Sequence, residues 1–148
     1  MTQPNEEQSL VEWFAAEAAV SGKPMMVRGR KVLSSHIPNS NLSFLFVVTL
    51  RYGFADATAL PTSDQYKDIA DFEGRVLDGL EFHGLGLLTF VETHNGVVRY
   101  YCYVRDIDSA VEWINKQNDG KFTIEFSADE DPQWVEYRRL MSHVCEAE

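Results

Sequence analysis

A chain of 148 residues with 45% hydrophobic content has the length and apolar material for one packed domain. A fold of this size buries roughly 70% of its unfolded surface, so it needs no disulfide or metal staple. With 13 basic against 23 acidic residues, the formal charge of −10 repels phosphate backbones and anionic membranes and draws basic partners.

The polar, acidic opening "MTQPNEEQSL" is unlike a secretory leader, and no apolar run is long enough to span a bilayer. Cys102 and Cys145 make no disulfide framework, so a reducing, cytoplasmic setting is expected. "LVEWFAAEAAV" and "MMVRGRKV" flank the turn sequence "SGKP". The alanines would also suit a helix; a β-hairpin over about residues 11–33 fits equally well and is the reading adopted. The only basic run, "RGRK" at Arg28–Lys31, reads as solvated loop before anion site. "SHIPNSN" is a loop with an X-Pro break.

"SFLFVVTLRY" reads as a strand with Phe44, Phe46, Val48 and Leu50 on one face. In "LPTSDQYKDIADFEGRVLDGL", Pro61 precedes a Thr62/Gln65 capping-box pattern, and Ile69, Phe72, Val76, Leu77 and Leu80 recur at helical spacing. "LGLLTFVETHNGVVRYYCYV" places two strands around Asn95-Gly96, a strong hairpin signal. A two-residue turn there pairs Glu92 with Arg99, Phe90 with Tyr101 and Leu88 with Tyr103. "DIDSAVEWINKQNDG" reads as a second helix, with Ile107, Ala110, Val111 and Ile114 inward and Gly120 as its stop. "KFTIEFS" is a strand burying Phe122, Ile124 and Phe126, and a short helix closes the chain at about 131–142.

The resulting order, β-α-β-β-α-β over about 43–127, is the ferredoxin-like α+β plan, with two helices on one face of an antiparallel sheet. The N-terminal hairpin and C-terminal helix are additions to it, and residues 1–148 form a single domain.

No residue pattern points to catalysis, a metal or a cofactor. His36, His83, His94 and His143 lack metal-ligand spacing, and "SSH" at Ser34–His36 has no nucleophile-elbow context. Gly84–Gly86 enters a strand rather than a helix, which suits a strand start and not a phosphate cradle. Asp64, Asp68 and Asp71 share a helix face, where Asp71 can pair with Arg75. That face is a solvated stripe or, with Asp129 and Glu130, a docking surface for a cationic protein. Tyr101 and Tyr103 point away from the two helices, where RNA-recognition motifs stack bases. The acidity and the missing glycine of that motif argue against nucleic acid, and the hairpin or terminal helix can cover the face.

In "SADEDPQWVEYRRLM", Asp131 can cap a helix and Pro132 suits its first position. Trp134, Tyr137, Leu140 or Met141, and Val144 then form an apolar stripe. This ending, with "ALPTSDQYKDIADFEGRVLDGL" and "FVETHNGVVRYYCYVRD", resembles the bacterial family catalogued as domain of unknown function 695, from about Trp13 to Met141. Ala59 departs from the glycine expected before "LP". The chain is similar in turn to the ribonuclease E inhibitor B group, which shares a ferredoxin-like fold and an ending of the kind seen at Asp131, Trp134 and Tyr137.

The resemblance implies a non-enzymatic regulator that binds a ribonuclease or other basic protein; toxin immunity is an alternative. The residues leave open a third reading, a small-molecule-binding domain or enzyme using the open sheet face, which would require a deep pocket with converging polar groups.

Overall fold

The computed structural model describes residues 12–20, 22–31, 41–53 and 60–147. The opening segment is a hairpin and not a helix: β1 (Glu12–Val20) pairs antiparallel with β2 (Lys23–Lys31). Gly22, at φ +79°, supplies the left-handed turn that a side chain would resist. β3 (Phe44–Arg51) follows. Helix α1 begins as Ser63–Phe72, widens to a π-helical turn at Glu73–Leu77 and closes as Asp78–Phe82. Then come β4 (Gly86–His94), β5 (Val97–Val104), α2 (Ile107–Gln117), β6 (Thr123–Glu130) and α3 (Val135–Ala147). His36, Ala59 and most of "SHIPNSN" lie outside the described residues.

The protein is α+β, built on one six-stranded sheet in the order β1-β2-β4-β5-β3-β6 with every neighbouring pair antiparallel. The hairpin β1–β2 extends the sheet beyond β4, so the four strands expected of the core become six. Period-two alternation decides the faces. Phe46, Val48 and Leu50 of β3 join Tyr100, Cys102 and Val104 of β5 under α1 and α2, all fully buried. Each such aliphatic or phenylalanine side chain contributes roughly 1.5–3 kcal/mol. Leu45 and Tyr103 point the other way, against Trp134 and Tyr137 beside α3. Phe122, Ile124 and Phe126 are only partly buried, because β6 is an edge.

The capping box forms as its spacing predicts: Gln65 N–H donates to Thr62 Oγ1 at 3.2 Å, and Thr62 N–H donates to Gln65 Oε1 at 2.8 Å. The tip register also holds, with Glu92 opposite Arg99 and Phe90 opposite Tyr101. Farther down it shifts. Tyr103 faces Leu87 and not Leu88, because a bulge falls between Leu88 and Phe90. Thr89, fully buried in that irregularity, donates its hydroxyl to Tyr101 C=O at 2.8 Å. "RGRK" is strand and not loop, since Arg28–Lys31 belong to β2. Gly86 opens β4 because a Cβ there would sit 2.8 Å from Tyr103 O. Cys145 lies within α3.

Two ion pairs tie the hairpin to α1: Arg28 Nη2 donates to both Glu73 oxygens at 2.9 Å, and Arg30 pairs bidentately with Glu81 through Nη1 at 2.8 Å and Nη2 at 3.3 Å. Eight residues of regular α-helix turn through roughly 800°, well past two full turns. The π-helical stretch between the two glutamates has more residues per turn and reduces that excess, so both face the hairpin. Trp113 of α2 donates its indole N–H to Val76 C=O inside the wide turn, at 2.8 Å.

Candidate functional site

The residues expected to carry the family likeness form a closed hydrogen-bonded cluster at the start of α3. The first N–H groups of a helix lack intrahelical partners. Here Asp131 accepts from Val135 N–H at 2.8 Å and Glu136 N–H at 3.0 Å, and Tyr103 Oη accepts from Tyr137 N–H at 3.2 Å. Tyr103 in turn donates to Asp131 at 2.7 Å. Arg138 N–H then bonds Trp134 C=O at 3.0 Å, the first bond of the regular ladder.

Asp131 therefore caps the helix as expected, but from before a turn. Pro132 lies in that turn and not at the first helical position. Trp134 takes φ +55°, a conformation few bulky side chains adopt. Its ring is buried and stacks on Tyr103 with centroids 4.3 Å apart, and its indole N–H reaches Leu42 C=O at 2.9 Å. Tyr137 donates its hydroxyl to Arg30 C=O, fastening α3 to the hairpin. This constellation covers the sheet face on which Tyr103 could otherwise have stacked a base.

Burial is the first cause pushing the Tyr103 hydroxyl far above its ordinary titration range, and its bond to Asp131 adds to it. Burial raises the Cys102 thiol as well, so it stays protonated and inert.

The five acids expected to form a partner surface fall at two ends of the molecule. Asp64 is exposed in the first turn of α1. Asp68 takes Lys121 Nζ at 3.3 Å and Asp71 takes Arg75 Nε at 2.8 Å, so both are already engaged. Arg75 also reaches Asp119 at 3.2 Å and Gln117 C=O at 2.6 Å. Asp129 and Glu130 are exposed at the far end of β6, roughly 20 Å of extended strand from Thr123. The Thr123 end is the one shared with the start of α1, because Thr123 pairs with Arg51 and Gln65 Nε2 donates to Tyr52 C=O at 3.0 Å.

A cleft of about 330 Å³ lies between the hairpin and α1. Ala15 and Met26 border it from the hairpin, and Ile69, Ala70 and Tyr66 from the helix. Arg28 and Glu73 meet at its side, and Glu73 also accepts the hydroxyl of the fully buried Tyr100 at 2.9 Å. Burial first, and the Glu73 carboxylate second, hold the Tyr100 hydroxyl well above its usual range, so it remains a donor.

The sequence offers Arg28 only as part of the lesser, anion-site reading of its basic run, and gives Glu73 and Tyr100 no site role. Arg28 and Glu73 lie 45 positions apart, and the one available signal was the "RGRK" run. Among the described residues, no three His, Cys, Asp or Glu side chains gather as a metal site. No described helix is long and apolar enough to cross a membrane.

The model of a family described as "Family of unknown function (DUF695)" matches residues 11–141. No curated protein and no solved structure matches the chain. The matched span takes in both hairpins, helices α1 and α2, and the cluster from Asp131 to Tyr137; the chain belongs to the DUF695 family.

Proposed function

We propose that this domain works by binding a basic protein, without chemistry of its own, and that it receives the partner along the acidic edge of its sheet. The carrying observation is β6. It pairs with β3 alone, leaving one side of its backbone unpaired by any described strand. Its exposed side chains include Glu125, Asp129 and Glu130. An open strand edge binds extended segments through main-chain hydrogen bonds, and charge complementarity supplies register and speeds encounter. Glu125 is already paired with Arg51 at 3.0 Å, so Asp129 and Glu130 carry most of the attraction.

The strand order β4-β5-β3-β6, with α1 and α2 on one face, supports reading the core as a ferredoxin-like plan widened by the hairpin. The likeness of the Asp131–Tyr137 ending to the ribonuclease E inhibitor B group supports a ribonuclease as the partner, modulated by cover rather than by catalysis. The buried Cys102 thiol suits a reducing, cytoplasmic setting.

The test is an NMR titration with an extended peptide alternating lysine and valine, paired with cleavage assays of a basic ribonuclease in the presence of the protein. Amide shifts along Thr123–Glu130, weakening with salt and lost in Asp129→Lys/Glu130→Lys, are expected. Unmoved β6 amides, or full binding after the reversal, would refute edge docking. Unchanged ribonuclease cleavage at saturating protein would remove the ribonuclease as the partner.

A further inference from the structure

We infer that the cleft between the hairpin and α1 is a binding site for a small carboxylic acid with an aliphatic body, gripped by Arg28. The inference stands apart from the β6 edge and does not rest on it. Four features carry it.

The first is the cleft itself. At about 330 Å³ it reaches the lower end of the size range of small-molecule pockets. Its border is mostly apolar, with Ala15 and Met26 on one wall and Ile69 and Ala70 on the other.

The second is the unused hydrogen-bonding capacity of Arg28. Its Nη2 donates to both Glu73 oxygens at 2.9 Å, whereas its Nε and Nη1 donate to no described residue. Arginine has five N–H donors in a rigid fork and no acceptor. What remains at this end of the cleft is thus mainly donor capacity, aimed at an anion. Glu73 is the poorer handle for a cation, because Arg28 and the Tyr100 hydroxyl already occupy its oxygens.

The third feature is pre-organisation. Glu73 is held by a fully buried tyrosine and fixes the guanidinium in turn, so ordering that long side chain costs a ligand little. The fourth is the π-helical turn that begins at Glu73. Such turns are uncommon and frequently accompany functional sites. This one brings Glu73 to the cleft wall. Tyr66, 45% exposed on the same helix, offers a ring at the border for the ligand's apolar body.

Two features of the ligand follow. It carries one anionic group of carboxylate size, since the grip is a single arginine fork already shared with a glutamate. Its body is hydrocarbon, since the cleft adds few other polar groups, among them Thr93.

The test is calorimetric titration of the full chain with octanoate and, separately, with octan-1-ol, which keeps the body and lacks the charge. Octanoate should bind saturably and at least about tenfold more tightly than octan-1-ol, the difference a charge-assisted hydrogen bond supplies. Arg28→Gln should bring octanoate down to the affinity of octan-1-ol. Ala70→Phe, an exposed helix position whose new ring fills the cleft, should abolish binding of both. Circular dichroism melts keep loss of fold apart from loss of the site. Equal affinity for acid and alcohol, no saturable octanoate binding, or undiminished binding by folded Arg28→Gln or Ala70→Phe would each overturn the assignment.

Discussion

The two faces of the sheet are closed by different means, and the contrast separates structure from candidate function. On the α3 face, Asp131, Trp134, Tyr137 and Tyr103 satisfy one another. The first helical N–H groups have acceptors, the tyrosine hydroxyls have partners, and the indole finds a carbonyl. Nothing in that cluster is left to offer a ligand. On the α1 face, beside the hairpin, Arg28 and Glu73 meet at the side of the cleft, and Arg28 Nε and Nη1 donate to no described residue. The residues that look most motif-like hold the fold together, while the less conspicuous arginine–glutamate pair faces the cavity. A saturated network and an unsaturated one should respond differently to mutation.

The largest effect belongs to Trp134. Truncating a fully buried indole leaves a cavity over Tyr103, removes the bond to Leu42 C=O and strips α3 of its anchor. Trp134→Ala should cost about 3–5 kcal/mol in urea unfolding. The hairpin should loosen with it, because Tyr137 fastens α3 to Arg30. Hydrogen exchange of the β2 amides would register that loosening. If β2 protection matched the wild type, the two elements would be independent.

Asp131 comes next. Asp131→Ala leaves two helix N–H groups and a buried tyrosine hydroxyl without their acceptor. A loss of about 2 kcal/mol is expected, with Asp131→Asn recovering part of it by keeping one acceptor oxygen. Equal losses in the two variants would mean that charge, and not acceptor geometry, supports the cap.

Much of the α3 face was legible in the sequence, because its signals are local. A carboxylate before a helical stripe, Trp and Tyr three positions apart, the Thr62/Gln65 box and Asn95-Gly96 each state their geometry within a few residues. The sheet faces followed from alternation in "SFLFVVTLRY". What escaped was non-local or one residue wide. A bulge near Thr89 shifts the strand register without disturbing the hydrophobic pattern on either side, so a two-residue turn alone predicts Leu88 opposite Tyr103 where Leu87 stands. The π-helical turn is likewise a single-residue excess inside a helix whose apolar spacing still reads as α. Positional preference alone puts Pro132 in the helix, but the turn leading to a left-handed Trp134 takes precedence. The cleft depends on Arg28 meeting Glu73, and nothing near either residue announces the other.

The third effect is a pH dependence that further separates the faces. Tyr103 on one face and Tyr100 on the other both have hydroxyls raised above the ordinary value near 10, chiefly by burial. A raised acid favours its protonated form in the folded state. That stability is complete below the unfolded value of about 10 and is lost as pH rises beyond it. Each tyrosine should contribute a fall of about 1.4 kcal/mol per pH unit in that alkaline range. Melting curves taken from neutral pH upward should be flat at first and then drop. Tyr103→Phe and Tyr100→Phe should each reduce the slope, and an unchanged slope in either would show that its hydroxyl titrates freely.

The smallest effect on stability is expected at the cleft. Arg28 is 44% exposed and its pair with Glu73 is partly solvated, so the link resembles surface ion pairs, which contribute about 0–1 kcal/mol. Arg28→Gln and Glu73→Gln should therefore unfold within about 1 kcal/mol of the wild type, the latter still accepting from the Tyr100 hydroxyl. A loss several times larger would place the pair among the structural groups, alongside the α3 cluster. A near-neutral result, together with the loss of octanoate binding in Arg28→Gln, would mean that an arginine nearly dispensable to the fold is held in place by a glutamate, a buried tyrosine and a π-helical turn for the sake of what enters the cleft.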